Sequence, residues 1–254
     1  MAYNVTGLSH RDGIQNEAQL MKYLKEGAAR QLYPHLSEEL RVVKKGGTAF
    51  KQDIEIVDGD NIVMISAKKK TSISKGSFDW VNSSAAVGDS LSTIEFRDAV
   101  KKIGELKPQY GRAKLSVQSA AYDALCKMTS TELSLILDKH IRSKNRDMKI
   151  VITESSTAKN WEYSFRDSDL YRAIAQEKPE IVLGRGIDSA SVQFRNDKGE
   201  LNDYGLRIRI VTNNGIGALI GISTANSRSM AVVKFQQDNI PGLIRSLGDK
   251  IRNF

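Results

Sequence analysis

The chain has 254 residues, long enough to bury a large core, as one α/β domain in preference to two poorly separated halves, with 38 Lys and Arg against 30 Asp and Glu. The formal net charge of +8 favours a polyanionic partner, with nucleic acid the first expectation and an ordinary basic protein the bland alternative. The single cysteine, Cys126, excludes an internal disulfide framework and any Cys-rich zinc site, and is expected to be a buried apolar residue in a reducing compartment.

The opening MAYNVTGLSHRDG lacks a basic and then apolar leader, and no run of about 18 apolar residues occurs, so neither a signal peptide nor a membrane span is expected and the location is read as cytoplasmic. His10, His35 and His140 are far apart and show no ligand spacing. Asp12 or Asn16 is expected to cap a first helix running through Leu24. Glu17 then lies in its first turn, where it either complements the helix dipole or points at the hairpin that follows. A short strand, Leu40 to Val43, leads into Gly46-Gly47, whose expected use is backbone geometry.

The most legible stretch is the hairpin: Asp53 to Val57 reads as a strand, Asp58-Gly59-Asp60-Asn61 as a tight turn, and Ile62 to Ala67 as the returning strand. A turn centred between Gly59 and Asp60 pairs residues whose numbers sum to 119, so Asp53 faces Ser66 and Glu55 faces Met64. Lys68, two residues past Ser66, returns to the face of Asp53, Glu55 and Ser66. A carboxylate and an ammonium held side by side can bind a divalent cation and set a charged donor beside a substrate oxygen, which is phosphodiester chemistry. From Lys68 to Lys75 there are four lysines and three hydroxyls, and Lys69, Lys70 and Lys75 are read as phosphate contacts rather than a merely solvated run.

From Phe78 to His140 the pattern reads as helical, with capping signatures at Ser92 to Glu95 and Thr129 to Glu132 and a helix over Val117 to Met128. Lys149 to Thr153 reads as a buried strand of a central sheet. The last hundred residues turn to strand patterns at Ile181 to Leu183, Ala190 to Phe194, Leu206 to Val211, Ala218 to Ile222 and Met230 to Phe235, suggesting an antiparallel sheet. Arg207 and Arg209 would share one face of it, either as an ordinary wet face or as a basic wall along a duplex. Loops carry Arg185 and Asp188, Asn213 and Asn214, and Thr224, Asn226, Ser227 and Arg228, residue types that read G·C-rich base edges and that turn chemistry explains equally well. A closing helix starts near Pro241.

An acid opening one strand and an x-Lys pair near the end of the next, behind a Gly-Gly turn, resembles the PD-(D/E)xK nuclease superfamily, with Ser66 where most members carry Glu or Asp. Arg11 to Glu17, Gly184 to Asp188 and Gly217 to Gln237 extend the resemblance toward small type II restriction endonucleases that cut four-base CG-containing sites such as GCGC and CCGG. The resemblance implies a single α/β domain over 1–254, with a restriction-endonuclease-like central mixed sheet flanked by helices in a catalytic half to about 150 and a β-rich DNA-binding half over 151–254. It implies Mg2+-dependent cleavage of double-stranded DNA, with Asp53 as principal metal ligand, Ser66 in the second-ligand position, Lys68 orienting the attacking water, and Glu17 or Glu55 supplying missing negative charge. It further implies a monomer or homodimer and a companion methyltransferase acting on the same site. The alternatives are a phage, repair or mobile-element nuclease of the same superfamily and a DNA-binding relative that has lost catalysis, to which Ser66 points.

Overall fold

The computed structural model describes residues 5–46, 52–70, 77–83, 120–183, 190–213, 230–238 and 240–254. In chain order their strands are β1 (Arg41–Lys44), β2 (Ile54–Asp58), β3 (Asn61–Lys70), β4 (Ser77–Ser83), β5 (Lys149–Glu154), β6 (Asn160–Ser164), β7 (Lys178–Leu183), β8 (Ala190–Arg195), β9 (Leu201–Asn202), β10 (Leu206–Asn213), β11 (Met230–Asp238) and β12 (Arg252–Asn253). The protein is mixed α/β, and the chain forms two compact units, one of 1–77, 144–171 and 239–254, the other of 78–143 and 172–238.

In the first unit a six-stranded sheet has the order β1-β2-β3-β5-β6-β12. It is mixed: β1, β2 and β3 form an antiparallel meander, β5 runs parallel to β3, and β6 and β12 follow antiparallel. The hairpin has the expected register, with Glu55 opposite Met64 and Asp58 opposite Asn61, and Gly59 takes the φ of +57° that its two-residue turn requires. β3 continues past Ala67 through Lys70, because Lys68, Lys69 and Lys70 pair with Ile152, Thr153 and Glu154 of β5. That pairing comes from more than eighty residues away, so the lysine run looks like a loop when only local pattern is consulted.

A helix, α1 (Val5–Tyr23), starts well before the expected caps, leaving Asp12 and Asn16 in its interior. Asn16, Leu20 and Leu24 fall four residues apart on one buried stripe, so Asn16 serves packing, not capping. The stripe meets Ile54, Ile56, Ile65 and Val151 in a single core cluster that covers one face of the sheet. Alternation sends Asp53, Glu55, Ser66, Lys68 and Lys70 to the other face. The helix bends at Gly27, whose φ of +124° suits glycine, before a last turn at Ala29–Leu32.

The C-terminus is tied back into this unit. After a helix at Ile240–Leu247, close to the expected start, β12 adds beside β6 and the Phe254 ring stacks on Tyr23 at 6.0 Å. Arg252 donates to both carboxylate oxygens of Glu162, at 2.7 and 2.9 Å, and to the Leu32 carbonyl. Tyr33 hydroxyl also donates to Glu162, which is only 2% exposed.

The second unit is built on the sheet β4-β11-β10-β8-β7, with β9 added to β8. β7, β8, β10 and β11 pair antiparallel, as the strand patterns of the last hundred residues suggested. Val192, Phe194, Leu206, Ile208 and Phe235 are buried at 1% exposure or less. The helix Ser130–Leu137 opens with the expected capping box: Glu132 N–H donates to Thr129 Oγ1, and Thr129 N–H to Glu132 Oε2. Ser77–Ser83 is a strand beside β11, not the start of a helical region; Phe78-Asp79-Trp80 alternates with strand period. Cys126 is exposed rather than buried, because the helix Ala120–Cys126 spends its buried positions on Tyr122 and Leu125.

Candidate active site

The hairpin gathers its acid and lysine at the end remote from the turn. Asp53 Oδ2 accepts the Ala67 N–H at 2.7 Å and the Ser66 hydroxyl at 3.2 Å, and stands 3.9 Å from Lys68 Nζ. The Asp53 N–H donates to the Ile65 carbonyl at 2.9 Å, so the carboxylate is held by its own backbone as well as by its neighbours. The Asp53 and Lys68 side chains keep 20% and 25% of their exposure. Ser66 is 3% exposed and acts here as a donor to the acid.

Glu55, one step toward the turn, is engaged on both oxygens: Gln52 Nε2 donates to Oε1 at 2.6 Å, and Lys45 Nζ lies 3.2 Å from Oε2. Glu17 lies twelve residues past Val5, too deep in α1 to serve the helix dipole. It pairs with Lys44 of β1 at 3.3 Å, and Lys44 stands opposite Ile54, the neighbour of Asp53. Gln52, Lys45 and Lys44 were not singled out by sequence pattern; each lies within two residues of the Gly-Gly turn or of Asp53, which is the signal that marks them.

Among the described residues no group of three or more His, Cys, Asp or Glu is arranged to hold a metal ion. The donors at Asp53 therefore do not form a cage of three acids. Mg2+ asks for no such cage, since it commonly binds through one or two carboxylates and completes its shell with water and substrate phosphate. Asp53 would hold the ion, with Ser66 beside it and Glu55 two residues along the same face of the strand.

The expected DNA contacts divide. Lys70 is paired with Glu154 at 2.5 Å, and Lys69 falls on the opposite face of β3 from Lys68 and Lys70. Arg207 Nη1 donates to Asp203 Oδ1 at 2.9 Å, an ion pair that occupies it in the free protein. Arg209 and Asn213 stand in β10 opposite Lys234 and Met230. Lys75, Arg185, Asp188, Asn214, Thr224, Asn226, Ser227 and Arg228 lie outside the described residues, as do the Ser92 capping signature and the strand expected at Ala218 to Ile222.

No helix among the described residues is long and apolar enough to cross a membrane. No family model matches the chain, and no curated protein sequence matches it. Among solved structures it has a weak neighbour in the HhaI endonuclease in complex with DNA, at 10% identity and a TM-score of 0.29, over 92% of this chain and 96% of that one. A likeness at that TM-score carries no argument, so any functional reading has to stand on the hairpin.

Proposed function

We propose that the chain is a Mg2+-dependent endonuclease of the PD-(D/E)xK superfamily, a type II restriction enzyme that hydrolyses double-stranded DNA at a short palindromic G·C-containing site. The observation that carries this reading is the juxtaposition of Asp53, Ser66 and Lys68 on the face of the mixed sheet left free by α1. The order of elements supports it as well: a helix, an antiparallel meander carrying the acid and the lysine, and a strand parallel to the last.

Asp53 binds the cation, with Glu55 on the same face adding negative charge; Glu17 is paired with Lys44 on the face that α1 covers. When bound, Mg2+ supplies charge neutralisation at the phosphate and a lowered pKa for a coordinated water. Lys68 orients the attacking water and stabilises charge that develops on the phosphate oxygens. Ser66 orients Asp53 by its hydrogen bond. The net charge of +8, with Lys69, Lys70, Lys75, Arg207 and Arg209, supplies affinity for the backbone. Arg185, Asp188, Asn213, Asn214, Thr224, Asn226, Ser227 and Arg228 supply base contacts. The enzyme acts in the cytoplasm as a monomer or homodimer, beside a methyltransferase that protects the same site.

Digestion of unmethylated phage DNA with the purified protein in Mg2+ tests the reading. Discrete bands are expected; a smear would replace it with a degradative or repair nuclease of the same superfamily. The neutral Ser66 beside Asp53, where a second acid would stand, favours one second reading, a DNA-binding relative without catalysis. Duplex binding in Ca2+ with intact DNA in both Mg2+ and Mn2+ would establish that instead.

A further inference from the structure

Lys70 lies two residues beyond Lys68 on the same face of β3, about 7 Å along the strand, a step comparable with the spacing of successive phosphates on one nucleic-acid strand. Its ammonium sits between two groups: Glu154 Oε1 at 2.5 Å and the face of the Trp161 ring, 5.9 Å from the centroid. Glu154 is itself fixed, since Thr157 Oγ1 donates to its other oxygen at 3.0 Å. Hydrogen bonds from Lys70 and Thr157 hold its carboxyl below the usual carboxylate range, so it is charged at neutral pH. The pair is not needed to join the strands, because β3 and β5 are already laddered there, with the Ser155 N–H donating to the Lys70 carbonyl at 3.0 Å. Both side chains keep part of their surface in solvent, 25% and 19% exposed.

We propose that Lys70 is a substrate-positioning residue that takes the phosphate adjoining the one held at Asp53 and Lys68, and that Glu154 competes with nucleic acid for it. This rests on the nuclease reading above. The indole of Trp161 keeps the ammonium in place while its partner changes from carboxylate to phosphate. Glu154 thereby lowers affinity for any duplex that cannot press its backbone into the site, which suppresses non-specific binding.

The test is duplex binding without divalent metal, by fluorescence anisotropy across a series of salt concentrations, for wild type, Glu154→Gln, Lys70→Gln and Lys70→Arg. Lys70→Gln is expected to bind more weakly, with the slope of log K against log salt shallower by about 0.9, the value for one phosphate contact. Lys70→Arg keeps the wild-type slope, and Glu154→Gln binds random-sequence duplex several-fold more tightly. Melting curves identify any variant that has not folded, and Lys70→Arg and Glu154→Gln each test the proposal without the other. An unchanged slope in Lys70→Gln, or unchanged or weaker binding by Glu154→Gln, overturns the proposal and leaves the nuclease reading standing. Failure of the wild type to bind any duplex overturns both.

Discussion

Ser66 donates its hydroxyl to Asp53 across the hairpin, at 3.2 Å, onto the same carboxylate oxygen that accepts the Ala67 N–H. One oxygen of the acid is thus committed to the protein, and the position beside it carries a neutral hydroxyl. Replacing that hydroxyl with a second acid is therefore an informative change. Ser66→Asp sets two carboxylates a few Å apart and should lower stability without metal by on the order of 1–4 kcal/mol, between the fully hydrated and the partly buried limits. Mg2+ should restore the melting temperature of Ser66→Asp by more than it raises that of the wild type. Equal Mg2+ shifts, measured by thermal melting, would mean that the Asp53 face does not bind the cation.

The C-terminal strand makes a separate prediction about stability. Arg252 contributes two hydrogen bonds to a Glu162 that is almost wholly buried. Arg252→Ala should cost about 1.5–3 kcal/mol, the range for hydrogen bonds to a charged group. Urea unfolding measures it, and a loss under 0.5 kcal/mol, as for an ordinary exposed substitution, would mean that β12 does not hold the edge of the sheet.

Burial pushes the Tyr33 hydroxyl well above its ordinary pKa, and the charge of Glu162 and its hydrogen bond add to the shift. Burial does the same to Tyr163. A tyrosine that stays protonated in the folded state but ionises when unfolded contributes its full stabilisation below pH 10, and loses it as pH rises above that value. Stability should fall above pH 10 by about 1.4 kcal/mol per pH unit for each such tyrosine. Tyr33→Phe should flatten the slope by one such increment, as read by urea unfolding at several alkaline pH values; an unaltered slope would show that Tyr33 ionises in the folded state.

The capping box at Thr129 and Glu132 begins the helix Ser130–Leu137, which runs on through Asp138–Arg142 and Ser143–Asn145. Removal of the cap by Thr129→Ala should destabilise the protein by about 1 kcal/mol. A matching loss in Glu132→Ala, together with near-zero further loss in the double variant, would show that the two act as one unit.

The features legible in the sequence were those decided locally. The hairpin register follows from a two-residue turn and period-two alternation, and the box at Thr129 from four adjacent residues. What could not be read was decided at a distance. β3 extends through Lys70 because β5 pairs with it, and Ser77–Ser83 is a strand because β11 lies beside it. β6 and the helix Asp169–Gln176 were not singled out, although the helix carries legible signals: Leu170, Ala173 and Ile174 are buried at helical spacing, and Ser168 Oγ accepts the Tyr171 N–H at 3.0 Å as a cap. At the site, Asp53, Ser66 and Lys68 could be placed on one face from register alone. The partners of Glu55, Glu17 and Lys70 could not, because Lys44 and Lys45 come from the end of β1 and the residue after it, and Glu154 from β5.

In the proposed nuclease Lys68 serves the reaction more than the binding of DNA, and Lys68→Ala separates the two. Cleavage of a duplex in Mg2+ and affinity for the same duplex in Ca2+ should be measured side by side for wild type and variant. The expected result is a loss of about 10²–10³-fold in cleavage rate, as for removal of one transition-state donor, with affinity changed by no more than a single phosphate contact would change it. Cleavage by Lys68→Ala at the wild-type rate would contradict the assignment of the hairpin as the active site.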